Sequence, residues 1–290
     1  MNHEFRNYII YAEIGLHGDG NIYPAALMFE KNMRQYTKCS VSLAGIVIPL
    51  SFRFPETENL FKDYICPTIT VEEPLYVEDD LWNLLSDVEK EESPGPWTEF
   101  YQLSGLVSRF LLKYNRCIFH GVAFLWKDQA WIITAPSGTG KTTQICLWQK
   151  LFGREIEIIN GDKPIIECRP DDTVWVYPSP WNGKENLSGT KSGKLAGIIY
   201  LEQAEHNEIT RMDIRFCMIP IYSQFLFYAD YEDEIRAVGR MEDIILRYIP
   251  VWKLKNLGDK ASVQLTRKTL IEYIEQCDDA GQKQQSGDKI

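Results

Sequence analysis

Apolar positions recur along this chain with two periods, and the switches between them mark its elements. Residues 7–15 (NYIIYAEIG) and 40–54 (SVSLAGIVIPLSFRF) are rich in β-branched and aromatic residues and read as strands, SFRF alternating with period two. Residues 98–113 place Phe100, Leu103, Val107, Phe110 and Leu111 on one helical face. RCIFHGVAFLW, a polar KDQ and AWIIT then give two apolar runs around a short turn, which predicts an antiparallel hairpin. The second run leads straight into APSGTGKTT. After it, Ile145, Trp148 and Phe152 fall at i, i+3 and i+7, and Gly153 supplies a helix stop. EIEIIN (155–160) predicts a further strand, closed by Gly161-Asp162, with shorter strands at 173–177 and 195–201. HNEITR (206–211) reads as a polar hairpin loop. Beyond Pro220 the pattern turns helical, with Ile235, Val238, Ile245 and Tyr248 on one stripe, then a late strand at 250–254 and a final helix at 260–276.

Breaker residues divide this pattern. The acidic stretch 78–97 ends in SPGP, a strong stop, and sets a boundary between a β-rich N-terminal subdomain (1–95) and a second domain (96–277). Residues 278–290 have almost no apolar content after Ala280 and read as a disordered tail. The N-terminal strands are either an appended subdomain or extra strands of the same sheet. The acidic run 78–92 reads as a solvated helix face, with docking of a basic peptide as the alternative.

Charge and cysteine usage remove several function classes. Thirty-one basic against 41 acidic residues leave a net charge of −10, and no stretch clusters Lys and Arg with aromatics, so nucleic acid is not an expected partner. Seven scattered cysteines, an odd number without CxxC spacing, argue against a disulfide framework or a zinc site. No apolar run reaches the ~20 residues of a membrane span, and MNHEFRNYIIYAEIG is not a secretory signal. These features predict a cytoplasmic protein with no membrane partner.

The chemistry concentrates at residues 135–143. APSGTGKTT fits the pattern [A/G]-x-x-x-x-G-K-[S/T], with Ala135 in first place, and it sits between a strand and a helix as a phosphate-binding loop requires. Pro136, Ser137, Gly138, Thr139, Gly140, Lys141, Thr142 and Thr143 are the expected nucleotide-binding residues. Gly138 and Gly140 let successive N–H groups turn inward onto phosphate oxygens, and the helix N-terminus adds partial positive charge. Lys141 can reach the β- and γ-phosphates, and the Thr142 hydroxyl can ligate magnesium. ATP, or another nucleoside triphosphate, with Mg²⁺ is the implied cofactor pair.

Asp162 follows Lys141 by 21 residues at a strand end. A carboxylate there accepts a proton from an attacking hydroxyl, or holds magnesium through water; Asn-Gly-Asp is equally turn chemistry. His120 precedes Lys141 by 21 residues within an apolar strand, where a lone histidine is as a rule a satisfied core residue. PSPWNGKENL is a loop of turn formers, and its Trp181, Lys184 and Glu185 are candidate substrate contacts, Trp181 as a wall and Lys184 as a neutralising charge. Lys163, just before a proline, reads as a solvated strand-end residue.

Three segments resemble the HPr kinase family, and beyond it the ATP-dependent phosphoenolpyruvate carboxykinases: His120-Gly121, the loop APSGTGKTT, and Asn160-Gly161-Asp162-Lys163. HPr kinases carry an Asp-Asp pair at the third segment; here Gly161 replaces the first aspartate. Leu147-Trp148, the run Asn160 to Pro164, and Pro180-Trp181-Asn182-Gly183-Lys184-Glu185 resemble more closely the HPr-kinase-like kinases encoded beside ribosomal peptides, including lasso peptides. The resemblance covers about residues 98–276. It implies an α/β fold with a mixed β-sheet P-loop kinase core, and an antiparallel hairpin feeding the loop. It assigns Asp162, His120 and Lys141 to catalysis, and Thr142 with Asp162 to metal. The implied activity is phosphoryl transfer to a Ser or Thr hydroxyl of a ribosomally made precursor peptide. A small-molecule kinase on the same core, and a non-catalytic nucleotide-binding partner in a peptide-maturation complex, are the alternatives.

Overall fold

The computed structural model describes residues 37–68, 72–77 and 95–287. The expected strand at 7–15 and the acidic run 78–92 lie outside the described residues.

Residues 40–54 form a hairpin where the apolar pattern suggested one strand. β1 (Thr37–Leu43) and β2 (Ile46–Phe52) pair antiparallel through Ala44-Gly45, whose φ values of 49° and 79° suit a two-residue hairpin turn. Neither turn residue is polar, which hid the reversal. A short β3 (Ile65–Cys66) completes a three-stranded sheet separate from the large one. Between β2 and β3 lies α1 (Pro55–Leu60), and α2 (Pro96–Leu112) packs across the small sheet. The five predicted apolar positions of α2 are all buried there, in one core with Val41, Leu50, Phe61, Ile165 and Trp181.

A nine-stranded mixed sheet forms the rest. The run RCIFHGVAFLW does not continue as one strand: β4 (Arg116–Ile118) pairs with β8 (Ile165–Cys168), whereas β5 (Val122–Trp126) pairs with β6 (Gln129–Thr134) and β7 (Glu157–Asn160). The chain changes partners at Phe119-His120-Gly121, whose amides donate to Pro164, Gln224 and Asp162 carbonyls instead of to a ladder. His120 therefore sits at a break between strands, not within one. β5 and β6 form the predicted hairpin through Lys127-Asp128, both at positive φ.

β10 (Gly193–Gln203) is the hub. Its first residues pair antiparallel with β9 (Val174–Tyr177), and the rest run parallel to β6 on one side and β12 (Val251–Asn256) on the other. HNEITR is not a loop: β11 (Glu208–Arg211) is an edge strand along β12, its exposed polar side chains being those of an edge.

Helices cover both faces, as a buried parallel core requires. Alternate residues of β6 divide accordingly. Ala130 and Ile132 face α4 (Ile214–Tyr222) and α5 (Glu232–Tyr248), and Trp131 and Ile133 face α3 (Lys141–Phe152) and α6 (Lys260–Gly287). On α5 the buried stripe is Val238, Met241 and Ile245; Ile235 and Tyr248 lie at its exposed margin. α6 continues to Gly287, past the expected stop at 276, because the segment offers Ala, Gln and Lys and no proline. No helix among the described residues is long and apolar enough to cross a membrane.

Candidate active site

β6 ends at Thr134, and the loop 135–140 carries the chain into α3. Gly138 and Gly140 adopt φ of 78° and 106°, a region that side-chain-bearing residues avoid. The Thr139 hydroxyl donates to the Pro136 carbonyl at 2.8 Å and stiffens the turn. Gly140 provides no side-chain cap, so the first-turn N–H groups of α3 have no side-chain acceptor, an arrangement that suits an anion. Pro136, Ser137, Gly138 and Thr143 are exposed, and Thr139, Gly140 and Thr142 are half-buried. Behind the loop, buried Gln144 donates to Asn256 and Ser262 at 3.1 and 2.8 Å, locking α3 to the ends of β12 and α6.

Lys141 opens the helix with its side chain folded inward. Its Nζ donates to the Ala135 carbonyl at 2.9 Å and the Pro136 carbonyl at 3.2 Å. Burial pushes its pKa down to about 8, with Lys163 adding to the fall and Asp162 opposing it. The ammonium is thus held in the loop by two carbonyls, poised for a stronger anionic partner.

Asp162 is set by its neighbour Asn160, which is fully buried. Asn160 Nδ2 donates to the Ser179 carbonyl at 2.9 Å, and its Oδ1 accepts from the amides of Asp162 (3.0 Å) and Lys163 (2.7 Å). The Asx turn at this strand end belongs to Asn160, which leaves the Asp162 carboxylate for other partners. Its Oδ2 accepts from Lys163 Nζ at 2.7 Å, and its Oδ1 lies 3.6 Å from His120 Nε2. Lys163 is therefore an ion-pair partner and not a free strand-end residue; its Nζ also lies 5.6 Å from the centre of the Tyr101 ring. Gly161 has no room for a second carboxylate: a Cβ there would stand 2.6 Å from the Asn182 carbonyl oxygen and 2.7 Å from Leu187.

The side chain of Gln224, a buried residue just after α4, borders the His120 ring and accepts from the Thr134 hydroxyl at 3.3 Å. Burial and the positive charge of Lys141 bring the His120 pKa down to about 4 against the pull of Asp162, so the imidazole is neutral at physiological pH. Thr134 completes this corner, its hydroxyl 2.6 Å from the His120 carbonyl. His120 and Asp162 form one pair, and Lys141 lies near enough for its charge to act on both. Gln224 and Asn160 were not anticipated. Asn-Gly-Asp was a signal for the latter; nothing in the sequence around Gln224 marks it.

Asp162 opens into a cleft of about 720 Å³ walled by α1, α2 and the loop 180–188. Lys184 lines it; Glu185 does not. Trp181 is a core residue more than a free wall: it is buried, donates Nε1–H to the Phe100 carbonyl at 2.7 Å and stacks on the Phe100 ring at 5.6 Å. It fixes the base of the cleft.

No cluster of three or more His, Cys, Asp or Glu side chains suited to a metal exists among the described residues. One carboxylate and one hydroxyl, Asp162 and Thr142, fit Mg²⁺, which takes one or two protein ligands and otherwise phosphate oxygens and water.

No family model and no curated protein matches the chain. Among solved structures, the HPr(Ser) kinase/phosphatase from Coxiella burnetii is similar over 56% of this chain and 98% of its own, at 11% identity and a TM-score of 0.33.

Proposed function

We propose that this protein is a kinase that binds ATP on the loop 135–143 and transfers its terminal phosphoryl group to a Ser or Thr hydroxyl of a ribosomally made precursor peptide. The reading is supported by the 3.6 Å His120–Asp162 pair, on which the charge of Lys141 acts from the end of the glycine-rich loop, and by the cleft into which Asp162 opens. The likeness of NGDKP and PWNGKE to the peptide-cluster kinases supports the choice of acceptor. Free cysteines throughout suit the cytoplasm.

In this reading the triphosphate lies on the first-turn amides of α3, and Lys141 exchanges its two loop carbonyls for β- and γ-phosphate oxygens. The acceptor hydroxyl enters from the cleft. Its oxygen bonds to the γ-phosphorus, the bond from that phosphorus to the β–γ bridging oxygen breaks, and ADP leaves. Asp162 takes the hydroxyl proton. His120 and Lys163 hold the carboxylate in position. Thr142 and Asp162 are the donors that would hold Mg²⁺, which when bound neutralises charge on the phosphates.

The test is phosphate transfer from labelled ATP to serine-containing peptides, with small hydroxyl compounds run in parallel. Transfer to peptide, abolished in Lys141→Ala, is expected. Transfer only to small compounds would favour a small-molecule kinase, and ATP binding with no transfer at all a non-catalytic nucleotide-binding partner.

A further inference from the structure

Trp97 is anomalous. Tryptophan is among the most buried side chains on average, yet Trp97 is 60% exposed in a region where Phe61, Phe100 and Trp181 are buried. One edge of its indole packs on Phe100, with ring centres 5.9 Å apart and nearly perpendicular. The remainder lies on the rim of the cleft that contains Asp162. On its far side is a second hollow of about 490 Å³, lined by Pro55, Glu56, Pro96 and Trp97. The two hollows share Asn59, Leu60 and Trp97, so they adjoin one another at the indole, one of them reaching Asp162.

The walls of these hollows are built to hold still. Buried Glu99 accepts from the Arg53 and Phe54 amides at 2.6 and 3.1 Å, and the Thr57 hydroxyl donates to the Pro96 carbonyl at 3.0 Å. Those bonds clamp α1 against the start of α2. Binding then costs little ordering of the protein. A single hydroxyl group at Asp162 leaves the second hollow unused; an extended chain, at ~3.3 Å per residue, reaches it within a few residues.

We infer that the hollow beside Trp97 is a specificity subsite of the acceptor peptide: it takes an apolar or aromatic side chain a few residues from the phosphorylated hydroxyl. This rests on the phosphoryl-transfer reading above. Leu60, Pro55 and Pro96 supply the apolar walls, and the indole supplies a face on which an aromatic ring stacks. Trp97 is the specificity-determining residue, and neither hollow is lined by a residue of the nucleotide loop.

The experiment uses the full chain, ATP with Mg²⁺, and short synthetic peptides with one serine, in which Phe, Leu, Gly, Asp or Lys is walked through each flanking position. Nucleotide affinity is measured separately by titration calorimetry. At one position, Phe or Leu should raise kcat/KM by roughly tenfold or more over Gly and Asp, through KM, as burial of a side chain of that size implies. Trp97→Ala should erase the preference, Trp97→Phe should keep it, and both should bind ATP as the parent does. Absence of any apolar preference, or a preference that survives in Trp97→Ala, overturns the subsite while leaving the kinase reading intact. Transfer to small hydroxyl compounds but to no peptide also overturns it. No transfer to any acceptor, with ATP still bound, defeats the phosphoryl-transfer reading itself and the subsite with it.

Discussion

His120 Nε2 lies 3.6 Å from Asp162 Oδ1, although the two residues belong to different breaks in the sheet: one where the chain leaves β4 for β5, the other at the end of β7. A backbone bond ties the breaks together, Gly121 N donating to the Asp162 carbonyl at 2.8 Å. The side chains are thereby registered by main chain, which is stiffer than any pairing of two rotamers.

Asp162→Asn is expected to lower the transfer rate by ~10²–10⁴-fold while ATP affinity stays near the parent value, because the amide cannot accept the hydroxyl proton. Single-turnover transfer and nucleotide titration measure the two separately. A parent-like rate in the asparagine variant would remove Asp162 as the base.

Lys141 gives a pH signature. Its pKa is held down to about 8 by burial, and bound phosphates favour the ammonium, so ATP binding just above that pH should take up a proton. Calorimetry in buffers of different ionisation heat should show this uptake, together with affinity that weakens as pH rises through the lowered pKa. Lys141→Met should lose both the uptake and all transfer. Binding without proton exchange in the parent would contradict the geometry of the loop.

The depressed pKa of His120 acts on stability in the acid range. With a folded value of about 4 against ~6.5 unfolded, the unfolded chain binds more protons between those values. Stability is therefore full above ~6.5 and falls as pH drops toward the folded value. Urea melts near neutral pH and near pH ~5 should show a smaller acid loss in His120→Asn than in the parent. Equal losses would place the sensitive group elsewhere.

Asn160→Ala should destabilise the fold by ~1–3 kcal/mol, since it strands the Asp162 amide and the Ser179 carbonyl and leaves the Lys163 amide only the Trp181 carbonyl. Transfer should fall as well, because the carboxylate loses its aim. Asn160→Asp keeps the acceptor oxygen and should recover part of the rate. An alanine variant as stable and active as the parent would show that the turn forms without the side chain.

Local chemistry made part of this site legible. The loop 135–143 announces itself because side-chain-bearing residues rarely adopt the backbone angles found at 138 and 140, and the β5–β6 hairpin because its turn is polar. Ala44-Gly45 makes the same kind of reversal with no polar residue, so the pattern ran straight through it. His120 looked like a strand residue, since its backbone bonds to Gln224 and its ring partner come from far along the chain. Trp181 looked like a wall because its loop is rich in turn formers; its indole is instead claimed by Phe61 and Phe100, which no local pattern connects to it. Short-range signals found the elements, and long-range pairings decided which side chains meet.

The hub position of β10 sets a timetable for the newborn chain. β6 ends in the nucleotide loop, yet its parallel neighbour begins at Gly193, and Ile198 in turn pairs with Val251. Pairings of such separation form late. A ribosome finishes the glycine-rich loop long before the strands that frame it emerge. Arrested chains ending near residue 192 should carry the whole loop and fail to be retained on immobilised ATP, whereas chains extended beyond α6 should be retained.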